Sequence, residues 1–313
     1  HLSTRRQRQM CIRDRDYGNK SMKSQYKTEI FYNYIIIGIL LILTLSFLLP
    51  FIVVLSTSLI SEAEWAARGG HVLYPKKISF VAYDILFGKS YVLFNAYQIT
   101  FLRVTLGTFC NLLFTTTLAY ALAQRDLPYR IPLTFFVFFT MVFNGGLIPQ
   151  FLLVDFLNLR NTIFALFVPT LINGWYFLIM RNFFMNIPKD LIDAAIIDGA
   201  SPVRILISVV LPLSMPVMAT IGLFYAVYHW NEWFYASIYI TDNELKPMQI
   251  ILRGLLNQAT MEGMENISFM EQPPPGASLR AALIIFSTVP ILVVYPFIQR
   301  YFVKGIMIGG VKG

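Results

Sequence analysis

Charge is scarce in this 313-residue chain: Asp, Glu, Lys and Arg make up 13% of it, against 56% hydrophobic residues. Soluble domains carry about 25% charged residues, so the composition excludes an ordinary soluble protein and predicts a membrane protein. Cysteine and histidine are also rare, with 2 and 3 residues, and no paired or ligand-like spacing links them. Neither a disulfide framework nor a metal site is therefore predicted.

Recognisable enzyme motifs are missing as well. The sequence has no H-x-x-x-H pair, no G-x-S-x-G elbow and no Cys–His nucleophile arrangement, so we expect no catalytic residue. Gly88-Lys89-Ser90 mimics the end of a phosphate-binding loop, but Tyr83 stands where that loop needs glycine. We therefore expect this chain to bind no cofactor. The net charge of +8 comes without a basic stripe interleaved with aromatics, so no nucleic-acid partner is predicted either.

Long runs without Asp, Glu, Lys or Arg are what the sequence does contain. Each run is about as long as the roughly 20 residues that a membrane-spanning helix needs. The sequence thus predicts an all-α membrane protein with six transmembrane helices. The first five are placed near 33–58, 96–124, 131–153, 161–182 and 208–232, and the sixth within 281–299.

The distribution of lysine and arginine predicts the orientation of these spans. With the N-terminus inside, the segments facing the cytoplasm are the richer in positive charge per residue, as the positive-inside rule requires. We therefore expect an N-in, C-in protein embedded in the lipid bilayer. Residues 1–29 would be a cytoplasmic tail, although 1–16 resemble a translated adapter and are expected to be non-native. Residues 30–94 would form the first span and an external loop.

Helix-capping signals divide the segment between spans four and five into two short helices. Asn186 is a suitable cap, and Pro188 suits the first turn that follows. Gly199 is expected to end that helix in the left-handed conformation. Ser201-Pro202 then predicts a second cap and a new helix. On the first helix a face with two alanines, which permit close approach, is expected to dock another surface; its members are Leu191, Ala194, Ala195 and Asp198.

The same segment carries a resemblance to a known family. D-A-A-x-x-D-G-A at 193–200, followed after eight residues by V-x-L-P at 209–212, resembles the EAA signature of membrane subunits of bacterial ABC importers. Asp193 replaces the usual Glu, and Val209 the usual Ile. The resemblance runs from about residue 95 to the C-terminus and is to carbohydrate-importer permeases related to the maltose-type second permease and the aldouronate-oligosaccharide permeases. Three further stretches carry it: 145–149, 180–184 and 299–305.

The resemblance implies a fold, partners and a mechanism. The fold would be that of a type I ABC importer permease, with its transmembrane domain at 95–300, short cytoplasmic coupling helices between spans four and five, and a cytoplasmic tail at 301–313. Partners would be a second permease subunit, two ATPase subunits that hold ATP and Mg, and an extracytoplasmic solute-binding protein. The chain would be a multi-pass protein of the bacterial plasma membrane that imports an oligosaccharide or other carbohydrate. Residues implied to couple it to the ATPase are Asp193, Ala194, Ala195, Asp198, Gly199, Ala200 and Pro212.

Aromatic and amide residues near the ends of spans are candidates for a sugar path. Aromatic rings pack on the C–H faces of sugars and amides bond their hydroxyls, although an interfacial aromatic belt is the competing interpretation. The candidates are Asn173, Trp175, Tyr176, Trp230, Asn231 and Trp233.

Two other functions are compatible with a polytopic membrane protein. A stand-alone secondary transporter or channel for a small polar solute usually needs buried ionisable groups, and the charge-free windows contain none. We expect Arg103, His229 and Glu232 to lie at the outer ends of spans, where they reach water. A membrane-embedded enzyme would need a polar catalytic cluster, which the sequence does not show.

Overall fold

The computed structural model describes residues 31–70, 72–88, 90–261 and 276–310, and within these ranges it contains helices and turns without a β-strand. The predicted N-terminal tail lies outside the described residues. The first helix, α1, covers Phe31–Ser58, and its side chains are mostly exposed up to the buried last turn at 56–58, as expected of a helix surrounded by lipid. Two short helices follow in the predicted external loop: α2, Glu62–Ala67, and α3, Val81–Gly88.

The long helix α4, Ser90–Ala123, is the centre of the bundle, and the later helices α7 and α11 both pack along it. It corresponds to predicted span two. The chain then forms α5, Arg130–Val142, and α6, Leu147–Phe156, which meet at an angle of 116°. Gly146 has φ 90° at this corner, a backbone conformation that glycine adopts without strain. Predicted span three is therefore sharply broken.

Predicted spans four and five are also broken. Span four begins with 3-10 turns at Ile163–Leu166 and Val168–Thr170 and bends by 57° into α7, Gly174–Met185. Span five bends by 83° at Ser214, where α11, Met215–Asn231, begins. Pro169, Pro212 and Pro216 lie beside these breaks and cannot donate a helical hydrogen bond.

After span four the chain forms two short helices where the sequence predicts them, α8, Lys189–Ile197, and α9, Pro202–Ile205. A π-helix, Leu206–Val210, and α10, Leu211–Leu213, follow α9 and lead to the bend at Ser214. After α11 come α12, Phe234–Tyr239; a 3-10 turn, Asn243–Leu245; α13, Met248–Met261; and α14, Ala277–Gly310.

Two of the described helices, α1 and α4, are long and apolar enough to cross a membrane by themselves, and the three bent pairs raise the number to five. The apolar part of α14 at Ala277–Val293 is shorter. Six spans therefore remain a prediction, as do the N-in, C-in orientation and the domain limits.

Three apolar clusters hold the helices together. The largest joins α4, α7 and α11 to the short helices between spans four and five, and it includes Phe177, Met180 and Ile221, all buried. A second cluster packs α12 against α6 and the 3-10 turn Ile163–Leu166. The third packs α3, α4, α13 and α14 together. The first cluster matters most for function, because it connects the short helices to the bundle.

Candidate functional site

We call residues 189–205 the elbow. Its capping residues are those predicted from the sequence, except at the start of α8. Gly199 has φ 75°, and its N–H donates to the Ile196 carbonyl at 2.9 Å, so the left-handed helix end is confirmed. Ser201 caps α9 by accepting from the Arg204 N–H, and Pro202 opens that helix. Asn186, however, caps the end of α7 rather than the start of α8, and its amide donates to the Asn182 carbonyl. The helix begins at Lys189, directly after Pro188.

The elbow has an inner side that packs on the bundle. Ile192, Ala195 and Ala200 contact the largest apolar cluster, and Ile205 is fully part of it. The Tyr120 hydroxyl of α4 donates to the Pro202 carbonyl at 3.1 Å. The predicted common face of α8 is therefore wrong in one member, because Ala195 points towards the bundle while the other three are exposed.

The outer side of the elbow leaves large apolar side chains in the open. Ile197 is 85% exposed, Val203 65% and Ile196 57%. Asp193 and Asp198 are exposed beside them. An apolar patch rimmed by charge is typical of a surface that another protein covers. The predicted coupling residues Ala194, Gly199 and Pro212 are exposed too, whereas Ala195 and Ala200 are half-buried.

In the interior, α4 presents a second arrangement, which we call the polar ladder. Its residues recur every four positions and therefore lie on one face of the helix. They face α11 and the broken start of span four, whose carbonyl groups have lost helical partners. The ladder consists of Arg103, Gly107, Asn111 and Thr115 on α4, with Tyr225, His229 and Glu232 opposite.

Arg103 is the first rung. Its side chain is 2% exposed, and Nη2 lies 2.6 Å from the Glu232 carboxylate, which is itself 8% exposed. The guanidinium also donates to the Glu232 carbonyl at 2.6 Å and to the Leu166 carbonyl at 3.2 Å. The other Glu232 oxygen accepts the Tyr235 N–H at the start of α12. One ion pair thus joins α4, the end of α11, the start of α12 and the turn that contains Leu166.

The middle rungs depend on Gly107, which has no side chain. A Cβ at Gly107 would lie 2.6 Å from Nε2 of His229, so only glycine leaves room for this imidazole. Nε2 makes a 2.9 Å hydrogen bond with Oδ1 of Asn111. Nδ2 of Asn111 donates to the carbonyls of Thr170 and Leu171, at 2.6 and 3.1 Å. Asn111 therefore supplies hydrogen bonds to carbonyl groups at the helix break, which would have no donor in a lipid environment.

The last rung repeats the pattern. The Thr115 hydroxyl lies 2.8 Å from the Tyr225 hydroxyl, which accepts the Asn173 N–H at 3.1 Å. Asn173 in turn caps α7 with its side-chain oxygen. The ladder thus continues into the first turn of α7.

The expectation that Arg103, His229 and Glu232 reach water is wrong. Arg103 and His229 are 2% and 1% exposed. Arg103 lies just outside a charge-free window, but it belongs to a helix that begins well before that window, and Glu232 follows α11 directly. Considered separately, these residues do not indicate the ladder. Its signal in the sequence is the spacing in multiples of four between Arg103, Asn111 and Thr115 in an apolar helix.

The candidate path residues occupy different settings. Trp230 is buried against Tyr97 and Phe101, and Tyr176 contacts the Tyr225 ring edge-on with centroids 4.9 Å apart. Trp175 is 60% exposed. Asn231 donates to the Val227 carbonyl of its own helix. Trp233 lies half-buried under the guanidinium of Arg253. Whether these side chains line a path stays a prediction.

Within the described ranges, no group of three or more His, Cys, Asp and Glu is arranged to hold a metal ion. The charged ladder groups are engaged with one another and with backbone groups. Through these bonds Arg103 and Glu232 hold neighbouring segments of the chain together.

Comparison with known proteins decides the family. Residues 117–308, which contain the elbow and α11, match the model of the binding-protein-dependent transport system inner membrane component. The chain belongs to this transport family. It is 38% identical over 283 residues to the polygalacturonan/rhamnogalacturonan transport system permease protein YtcP of Bacillus subtilis, covering 90% of this chain and 98% of the relative. The protein LplC of the same organism is 39% identical over 266 residues, covering 85% and 90%.

A solved structure supports the same assignment. A bacterial ABC transporter involved in the import of the acidic polysaccharide alginate contains a chain that superposes with a TM-score of 0.76 at 30% identity, covering 88% of this protein and 98% of that chain. This family member therefore has the fold of an importer permease and is a membrane transport component rather than an enzyme.

Proposed function

We propose that this permease is one of two membrane subunits of an ABC importer that carries an oligosaccharide into the cytoplasm. Separate ATPase subunits would supply the energy, and an extracytoplasmic solute-binding protein would deliver the sugar. The family match supports transport that depends on a binding protein. The relatives' names, which mention polygalacturonan, rhamnogalacturonan and alginate, support a carbohydrate as the cargo.

The observation that carries the proposal is the exposed apolar side of the elbow. Ile197, at 85% exposure, contributes nothing to the bundle. Covering such a side chain is worth about 2 kcal/mol, so a partner surface gains directly from docking here. The acidic residues Asp193 and Asp198 would bond at the rim of that contact. In the N-in orientation the elbow faces the cytoplasm, where an ATPase subunit is met.

The inner side of the elbow would transmit the movement. Ala195 and Ala200 pack on the cluster that contains Phe177 of α7 and Ile221 of α11. A displacement of the elbow would therefore also displace these two helices. The ATPase must bind the elbow differently in its open and closed states, because equal binding shifts no equilibrium. The bundle would then alternate between inward- and outward-facing states.

Co-purification with candidate ATPase subunits, followed by sugar-stimulated ATP hydrolysis, tests this function. Hydrolysis that rises with loaded binding protein is the expected result. Uptake that persists without any ATPase subunit and collapses with an ionophore would contradict it.

The stand-alone secondary transporter remains the alternative, and the buried Arg103–Glu232 pair is the observation that favours it. Such ionisable groups within a bundle are typical of ion-coupled carriers. Both groups, however, are committed to backbone partners, which favours a structural role.

A further inference from the structure

Three arginines in the described ranges lie over aromatic rings. The guanidinium carbon of Arg253 is 3.7 Å from the centre of the Trp233 ring. The corresponding distances are 5.2 Å from Arg160 to Phe151 and 5.4 Å from Arg68 to Tyr74. The Arg253–Trp233 contact is therefore much the closest, and it pairs the most strongly attracting ring type with a guanidinium.

The three pairs differ in how the charge is neutralised. Arg160 has the Asp155 carboxylate at 3.2 Å, and Arg68 has that of Glu64 at 3.4 Å. Arg253 has neither a carboxylate nor a hydrogen-bond acceptor among the residues that the structure describes, and its side chain is exposed. Since no described residue bonds its N–H edge, that edge can bond an external group.

The nearest acidic residue in sequence to Trp233 cannot serve Arg253. Glu232 uses one carboxylate oxygen for Arg103 and the other for the Tyr235 N–H. Both carboxylate oxygens of Glu232, the acid next to Trp233, are thus already bonded. The polar ladder also fixes Glu232 at the end of α11, and Trp233 is the next residue in the chain.

We propose that Arg253 and Trp233 form a specificity site that holds the carboxylate of an acidic sugar unit during import. This rests on the proposed function and narrows its cargo to oligosaccharides that contain uronate. The planar guanidinium offers two parallel N–H groups that match a carboxylate. Stacking on the indole holds that fork in one orientation, so less side-chain entropy is lost when the sugar binds. The half-buried indole gives the sugar ring an adjoining apolar surface.

The test uses the complete transporter, with its partner permease, ATPases and binding protein, in proteoliposomes. The probes are trigalacturonate and trimannuronate, each compared with its methyl ester, which keeps the rings and removes the charge. Arg253→Gln is expected to lower ATP-driven uptake of the acids about tenfold, the value of a hydrogen-bonded charge pair. Uptake of any ester that wild type carries should change less than about twofold, within the range of an exposed charge.

Arg160→Gln is the matched control, because it removes an arginine that also lies over a ring but has its own carboxylate. It should leave uptake of the acids unchanged. Arg253→Lys, which keeps the charge without the fork, should recover only part of the loss.

Three outcomes would overturn the inference, and they separate it from the proposed function. Equal loss of acid and ester uptake in Arg253→Gln would mean that the arginine contacts a protein partner. ATP-driven uptake of esters but of neither acid by wild type would refute selectivity for carboxylates and leave the importer standing. Absence of ATP-driven uptake for all four probes would remove this specificity, while sugar-stimulated ATP hydrolysis with other oligosaccharides would still uphold the importer.

Discussion

The polar ladder and the elbow both attach α11 to α4 and α7, but they do so with opposite chemistry. The ladder uses buried hydrogen bonds and one ion pair, from Arg103 to Thr115. The elbow uses apolar contacts on one side and leaves Ile197 and Val203 exposed on the other. The ladder finds its partners within this chain, except that the buried Nδ1 of His229 has none among the described residues, whereas the elbow has a face that is open to a partner.

This difference in chemistry indicates which of the two regions can move without a large loss of free energy. Groups in a low-dielectric interior lose much when their partners separate, so the ladder resists opening. Apolar contacts are non-directional and can slide with little penalty. We therefore expect substitutions in the ladder to damage the folded bundle, and substitutions on the outer side of the elbow to damage transport while the bundle stays intact.

The largest effect is expected from Arg103→Met. It strands the Glu232 carboxylate, which is 8% exposed, and breaking one partner of a buried pair costs about 3–5 kcal/mol. The thermal midpoint of the purified protein should fall steeply. Arg160→Met, which breaks an exposed pair, is the control and should change it little. A midpoint equal to the control's would show that the ladder does not stabilise the bundle.

The next largest effect is expected from Gly199→Pro. Gly199 has φ 75°, which proline cannot adopt, and its N–H is bonded to the Ile196 carbonyl. About 3 kcal/mol of local strain should distort the elbow and abolish transport, because proline both clashes and removes a donor. Membrane levels should stay near wild type, because the spans that insert into the bilayer are unchanged. Normal uptake at a normal membrane level would contradict this.

Gly107→Ala should have an intermediate effect on the ladder. The added Cβ meets His229 at 2.6 Å and must displace the imidazole from Asn111. Overpacking of this kind costs about 1–3 kcal/mol, measured as a lower thermal midpoint. Gly38→Ala in α1 is the matched control, because a Cβ at that position would have nothing within 4 Å. Equal midpoints in the two variants would exclude tight packing at Gly107.

Ile197→Asp tests the open side of the elbow. The loss of an apolar docking contact should lower sugar-stimulated ATP hydrolysis about thirtyfold, since burying this side chain is worth about 2 kcal/mol. Ile78→Asp is the control, because Ile78 is also well exposed, at 65%, but lies in the predicted external loop. Equal losses in both variants would indicate a general effect of the added charge.

The smallest effect is expected from Thr115→Val. It removes one hydroxyl contact to Tyr225 while keeping the shape of the side chain. Hydrogen bonds between helices in membranes average about 0.6 kcal/mol, so the midpoint should fall only slightly. A loss as large as that of Arg103→Met would mean that the rungs act as one cooperative unit.

The elbow could be predicted from the sequence because local chemistry determines it. Gly199 must take a left-handed turn, and Ser201-Pro202 is a cap with its own signature, so both predictions are confirmed. The prediction for Asn186 is wrong because an asparagine can cap either end of a helix, and only packing decides between α7 and α8.

The ladder could not be predicted from local rules, because it depends on which helices meet. Asn111 bonds carbonyls some 60 positions away in sequence, at Thr170 and Leu171. Pro169 indicates the break that frees those carbonyls, but nothing local indicates the partner that satisfies them. Asn173 shows the converse: as a span-end amide it is a candidate for the sugar path, whereas its oxygen is committed to capping α7.

Site-directed labelling of Ile197→Cys, with Cys11 and Cys110 replaced by serine, tests the central claim most directly. A membrane-impermeant thiol reagent should label Ile197→Cys from the cytoplasmic side of inverted vesicles, and co-assembly with the ATPase subunits should protect it. The same reagent should label Ile78→Cys from the outside of intact cells. Labelling of Ile197→Cys from outside, or full labelling in the assembled transporter, would contradict an elbow that receives the force of ATP hydrolysis.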